Sequence, residues 1–187
     1  MLEGIEDDSI DVVTSVFGVF LVPDHDKTMN AVKRVLHPDR GVFGTTAWTI
    51  FRELPPATGV SLHNVYDQFL KSSTGMTDEE ILDIIPYRLW SDPQFVRDVV
   101  GTRAGFQSVH IRHALHTVPF ATPYTVWDIM TTNPFANGGV DESDPVIQKA
   151  KKELIETLIA DGNDDTDVAN VLTASNLIVA KGFEKHV

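Results

Sequence analysis

Residues 9–48 read SIDVVTSVFGVFLVPDHDKTMNAVKRVLHPDRGVFGTTAW, and the succession of patterns in them decides the fold class. Ile10, Val12, Val13, Val16, Phe17, Val19 and Phe20 make a nearly unbroken apolar run, the pattern of a strand buried on both faces. The chain is expected to leave that strand near Phe17 and Gly18. Pro23-Asp24 closes the run, and Asp24 or Asp26 can cap a helix. Over residues 27–36, Met29, Val32, Val35 and Leu36 share one face, which predicts an amphipathic helix. Lys33 and Arg34 sit in its last turn, where positive charge suits the helix dipole. His37-Pro38-Asp39-Arg40-Gly41 stops it, and residues 41–48 (GVFGTTAW) make a second strand. Two strands joined by one helix predict a parallel pair with a right-handed crossover.

Outward from this unit the alternation continues. Residues 52–88 are broken by Pro55-Pro56, with a helix expected near 62–71. Thr77-Asp78-Glu79-Glu80 is a capping-box pattern opening a short helix to Ile85. Asp92-Pro93 opens another, with Phe95, Val96, Val99 and Val100 inward and Gly105 as its stop. Residues 106–120 read as a long strand, with Val109, Ile111 and Leu115 on one parity and His110, Arg112 and His116 on the other. Asp144-Pro145 opens a helix to about Asp161 with Ile147, Ala150, Leu154 and Leu158 as its stripe. A short helix is expected over 165–172 and a last strand over 176–181 (NLIVAK), antiparallel to the strand before it. The whole reads as an α/β domain.

Composition narrows the function classes. The chain has 187 residues, 42% hydrophobic and 22% charged, which suits one folded domain. It has no cysteine, which excludes disulfides, thiolate catalysis and cysteine zinc sites. A net charge of −12 disfavours nucleic acid and anionic membrane surfaces as partners. Lys149, Lys151 and Lys152 read as a solvated helix face. No apolar run is long enough to span a membrane, and the acidic start, residues 1–11, does not read as a signal peptide, so a cytoplasmic location is expected. Asp7-Asp8, Glu79-Glu80 and Asp164-Asp165 read as caps and loops, and no GxSxG, HExxH or P-loop occurs.

The ordered set resembles the class I S-adenosylmethionine-dependent methyltransferases. In that family an "FDvV" strand leads to an "hvpD" loop, then to "RVLkPGG" and another strand. Here these are Ile10-Asp11-Val12-Val13, Leu21-Val22-Pro23-Asp24, and Arg34-Val35-Leu36-His37-Pro38-Asp39-Arg40-Gly41. Ala104-Gly105-Phe106-Gln107-Ser108-Val109 is similar to the "aGF.dV" of the penultimate strand, and Leu177-Ile178-Val179-Ala180-Lys181 to the closing strand. The resemblance implies S-adenosylmethionine as cofactor and a cofactor-binding remnant at Ser15, Phe17 and Gly18; no metal is expected. It also marks what is missing. No GxGxG occurs, and Asn137-Gly138-Gly139 has no strand before it and reads as a turn. Met1 falls just before the family's fourth strand. The expectation is therefore one domain over 1–187, a truncated Rossmann-like sheet of about four strands with an antiparallel last strand, lacking the N-terminal cofactor-binding half. Lid or substrate helices are expected in 49–92 and 121–174. A lone monomer is not expected to hold the cofactor.

Truncation would leave Ile10, Val12, Val13, Val16 and Phe17 as an open apolar strand edge, so a homodimer or a partner chain is expected there. In the resembled family, the aromatic residues after the second strand and between the last two form a lid over the acceptor. An apolar small molecule is the expected ligand, with Phe20, Trp48, Phe51, Tyr87, Trp90, Tyr124 and Trp127 as its walls; Phe69 and Phe135 belong to the same concentration of rings. His110, His113 and His116 have strand spacing that cannot close on one metal ion. Each of them, like His63, is a candidate acid or base, and Arg88 is a further candidate polar residue; His63 and Arg88 are expected to be exposed. Rival readings remain: a cofactor-free isomerase or cyclase reusing the acceptor pocket, a non-catalytic partner subunit, or a fragment of a longer protein.

Overall fold

In the computed structural model the described residues are 2–49, 61–85, 87–132, 141–160 and 168–183. The opening run splits in two. Val12–Val16 form strand β1, Phe17 turns the chain, and Val19–Leu21 make a 3-10 turn. Helix α1, His25–Val35, starts where the Asp24 carboxylate accepts the Lys27 N–H at 2.8 Å. It buries Met29, Val32 and Val35. At Gly41 the chain doubles back so tightly that a Cβ would lie 2.4 Å from the His37 carbonyl oxygen, which only glycine avoids. Strand β2, Val42–Trp48, follows and runs parallel to β1, from Val12 opposite Val42 to Val16 opposite Thr46.

The remaining elements are helices α2 (Leu62–Thr74), α3 (Asp78–Ile84), α4 (Arg88–Ser91) and α5 (Pro93–Val96), strand β3 (Phe106–Phe120), helices α6 (Pro123–Thr132) and α7 (Pro145–Ala160), and strand β4 (Ala169–Phe183). The helix begun at Pro93 runs on as a π-helical segment, Arg97–Arg103. The sheet order is β1-β2-β4-β3. β4 pairs antiparallel with β2, from Val42 opposite Lys181 to Trp48 opposite Ser175. This is the expected α/β sheet of four strands, with one parallel pair and the last strand antiparallel to β2.

Two compact units share the chain. The first comprises Met1–Ile50, Ile85–Ala114 and Ala174–Val187. Its core collects Met29 and Val32 from α1 and Leu36 just past its end, Phe43 and Ala47 from β2, and Ile178 and Ala180 from β4. Trp90, Val96, Val99, Val100 and Phe106 join it, with Val19, Phe20, Ala104 and Phe183. Each such side chain removed from water contributes roughly 1.5–3 kcal/mol. The second unit comprises Phe51–Ile84 and Leu115–Thr173. There α2 is capped by Ser61, whose hydroxyl accepts the Asn64 N–H at 3.0 Å. Gly75, at φ 73°, ends it. The Thr77 and Glu80 pair opens α3 as the capping box expected. Helix α2 packs on α7, with Gln68 bonded to Thr157 at 3.2 Å and Ser72 to Glu153 at 2.8 Å.

Several expectations are corrected. β1 is not buried on both faces: Val12 is 58% and Val16 72% exposed, because the strand is the end of the sheet and is covered on one side only. Residues 169–172, expected in a helix, belong to β4, which starts at Ala169 rather than Asn176. There burial alternates along Ala169, Asn170 and Val171, the period of a strand. His63 is buried, not exposed. Lys149 and Lys152 do lie on a solvated face, facing Glu153 and Glu156 one turn on. Phe51, Phe135, the Pro55-Pro56 break, Asn137-Gly138-Gly139 and Asp164-Asp165 lie outside the described residues. Among the described residues no helix is long and apolar enough to cross a membrane.

Candidate functional site

Parallel strands β1 and β2 end side by side, and in open α/β sheets ligands bind outside the carboxyl ends of such strands. The first residue past β1 is Phe17, held at φ 50°. That left-handed conformation costs a bulky residue on the order of 1–3 kcal/mol and persists only where the surroundings enforce it. Two contacts do so. The Phe17 N–H donates to Thr46 Oγ1 at 3.1 Å, and its ring stacks on Trp48, centroids 4.1 Å apart and planes 15° from parallel. Beneath them Thr45 Oγ1 donates to the Ser15 carbonyl at 2.7 Å. Gly18 leaves room for Ser15, since a Cβ there would approach Ser15 Oγ to 3.1 Å. The result is a half-buried two-ring shelf on a backbone fixed by two threonines.

A second group of rings surrounds the start of α1. Phe20 meets Tyr87 edge-on at 5.8 Å. His25 meets Trp90 at 5.7 Å and Phe95 at 5.6 Å, both edge-on. The Trp90 indole N–H donates to His25 Nδ1 at 3.3 Å, so Nδ1 carries no proton and the neutral ring's N–H is at Nε2. Burial pushes the His25 pKa below its ordinary value, and the Arg103 charge lowers it further, against an upward pull from Asp26 and Asp24. His25 is thus a neutral hydrogen-bond donor in an aromatic setting. Buried Asn176 fastens this wall from β4. Its amide donates to the Trp90 and Ser91 carbonyls, both at 3.2 Å, and its oxygen takes the remaining contact, His113 Nδ1 at 3.0 Å. A polar cleft of about 340 Å³ lies in the same unit, lined by Asp26, Met29, Asn30, Arg103 and Ala104. Arg103 is clamped there by Asp26 at 2.6 Å and Asp98 at 2.9 Å.

The structure therefore brings together Ser15, Phe17, Gly18 and Trp48, and separately Phe20 with Tyr87. Trp90 has no exposed surface and supports His25 from behind. Tyr124 and Trp127 belong to the second unit, where Tyr124 is exposed. Trp127 is fully buried against Phe69 and donates to Glu142 at 2.9 Å. His63 lies 3.5 Å from Asp67 within α2, His110 is 2.9 Å from Ser108 Oγ, His113 is spent on Asn176, and His116 is exposed on β3. Arg88 is exposed on α4. Among the described residues no group of three His, Asp or Glu could hold a metal ion.

Reading the sequence missed His25, Thr46 and Asn176. His25 had one local signal, its place directly after the Asp24 cap in the loop beyond β1. Asn176 had one too, as a polar residue in a strand-like apolar run.

The stacked Phe17 and Trp48 rings offer a flat apolar surface.

No protein-family model matches the chain, and no curated protein matches it. Solved structures similar to it include a candidate methyltransferase from Bacillus halodurans, at 13% identity over 97% of this chain and 68% of that one, TM-score 0.48. The YcgJ protein of Bacillus subtilis is similar at 14% identity over 97% of this chain and 68% of that one, TM-score 0.46. A Haemonchus contortus phosphoethanolamine N-methyltransferase, solved with phosphomonomethylethanolamine and S-adenosylhomocysteine, is similar at 15% identity over 96% of this chain, TM-score 0.44. The chain spans 35% of that enzyme's length.

Proposed function

We propose that this chain forms the acceptor side of a methyltransferase-like protein that binds an apolar small molecule, with S-adenosylmethionine as methyl donor once a second chain, a like copy or a partner, completes the cofactor site. The observation that carries the reading is Phe17, strained at φ 50° and stacked on Trp48 at the carboxyl ends of the parallel pair. Strain of this kind at such a place suits a binding surface fixed in advance. S-adenosylmethionine would supply an electrophilic methyl group. The chain's own residues would align an acceptor rather than deprotonate it: the rings exclude water, and His25 Nε2–H can hold an acceptor oxygen. Rate then comes from proximity, with no base required of this chain.

Calorimetric titration of the purified protein with S-adenosylhomocysteine tests this. Micromolar binding that Phe17→Gly weakens supports it. Absence of binding at millimolar ligand removes methyl transfer by this chain alone.

A cofactor-free isomerase or cyclase is the second reading, favoured by neutral His25 between the Trp90 and Phe95 rings. It expects turnover without cofactor that His25→Ala abolishes.

A further inference from the structure

We infer that the polar cleft between α1 and the end of the π-helical segment binds a neutral cyclic amide or imide, one whose C=O and N–H lie on the same edge. The inference is independent of the proposed methyl transfer. Asp26, Met29, Asn30, Arg103 and Ala104 line the cleft, and none of them belongs to the Phe17 and Trp48 shelf. One wall is a single face of α1, where Asp26, Met29, Asn30 and Lys33 recur at spacings of three and four. The other is the end of the seven-residue π-helical run Arg97–Arg103. Runs of that kind are rare and occur frequently at functional sites. Lys33 Nζ donates to the Ala104 carbonyl at 3.1 Å and ties the two walls together. Both walls belong to the first compact unit.

Arg103 is the donor. Asp26 engages its Nη1 at 2.6 Å and Asp98 its Nε at 2.9 Å, while Nη2 takes part in neither contact. The guanidinium is thus held in one orientation, 5.9 Å from the centre of the Phe95 ring, with donors to spare. Asp26 is the acceptor, since it meets Arg103 through Oδ2 and Oδ1 lies outside that bond. One turn on, the Asn30 amide can give or take, and it has no hydrogen-bond partner among the described residues. Met29, fully buried, supplies an apolar side. Charge selects a neutral ligand, because Arg103 and Lys33 balance Asp26 and Asp98. An anion would have to displace a carboxylate from Arg103, and a cation would have to compete with Arg103 for Asp26. Shape selects a ring. A donor beside an acceptor calls for a C=O beside an N–H. An open-chain secondary amide is trans and points the two in opposite directions, whereas a ring holds them together. A volume of about 340 Å³ is small for a ligand pocket and suits one such ring.

NMR titration of the full chain with uracil, which carries this edge, tests the site. Shifts are expected at the Asn30 side-chain amide and at the Arg103 Nε–H, saturating with a Kd of about 1 mM or tighter. Asn30→Leu and Arg103→Leu should each weaken binding at least ~10-fold while far-UV circular dichroism stays unchanged. Uracil methylated on both ring nitrogens keeps the ring and its carbonyls but has no N–H for Asp26, so it should bind at least ~10-fold more weakly. Acetate and methylammonium at the same concentration should leave both signals in place. No shift with uracil, binding indifferent to both substitutions, equal binding of the methylated ring, or tighter binding of acetate or methylammonium would each overturn the inference.

Discussion

The indole N–H of Trp90 points at Nδ1 of His25 across 3.3 Å, and this contact fixes which nitrogen of the imidazole is protonated. A second proton on Nδ1 would meet the indole N–H head on, so the fold favours the neutral ring. Burial and Arg103 act in the same direction. With its folded pKa below the unfolded value of about 6.5, His25 binds fewer protons folded than unfolded. Its contribution to stability is therefore intact above that value and declines as pH falls through it toward the lower folded pKa. Histidine NMR titration should give His25 a midpoint below 6.5, and Trp90→Phe should move it up. In His25→Gln, the fall in melting temperature between pH 7.5 and 5.5 should shrink; an unchanged fall would show that His25 titrates as if exposed.

Asn176 is 1% exposed and serves three partners. Asn176→Ala leaves the Trp90 and Ser91 carbonyls without their donor in the core, which costs about 2 kcal/mol. Asn176→Asp should cost more at pH 7, since a carboxylate would face two carbonyl oxygens. Urea unfolding, with midpoint and slope measured together, checks both.

Phe17→Gly separates stability from binding. Glycine relieves backbone strain of about 1–3 kcal/mol, and it forfeits ring stacking and adds chain entropy of similar size. Net stability should stay within about 1 kcal/mol of the parent. Affinity for S-adenosylhomocysteine, or for the apolar ligand once found, should drop at least ~10-fold because half the shelf is gone. Undiminished binding would move the site elsewhere.

Glu142 accepts from the Trp127 indole and from Lys151, which hold its pKa below the ordinary carboxylate range, the indole contact first. Its stabilising effect is present above the unfolded pKa and is lost as pH falls through the depressed folded value. Trp127→Phe should raise the Glu142 midpoint in a carbon-detected NMR titration. A midpoint that stays put would mean Lys151 alone sustains it.

What could be read from residues in order was the local grammar. The helix after Asp24, the stop at His37-Pro38, the capping box at Thr77 and the parallel pair all follow from neighbours within a few positions. Gly41 reads as a stop, and the close approach of His37 explains why it is glycine. Long-range geometry was not legible. No local pattern says that Phe17 turns left-handed, since the cause is Thr46 and Trp48, far along the chain. The same holds for His25, whose protonation state is set by Trp90. The start of β4 was missed because polar Asn170 and Thr173 break the apolar run. His63 reads as exposed because burial of one polar position on α2 depends on what packs there, here beside Asp67.

The pairing of β2 with β4 carries a consequence for how the molecule is made. Val42 faces Lys181 and Trp48 faces Ser175, so most of the chain must leave the ribosome before β2 acquires its inner neighbour. Until then β1, α1 and β2 can form a local unit with β2 bare on one side. Contacts so distant in sequence close slowly, and an unpaired strand invites association with other chains while it waits. Synthesis should therefore leave a window in which nascent chains depend on chaperones, and that window closes only when the last strand is delivered.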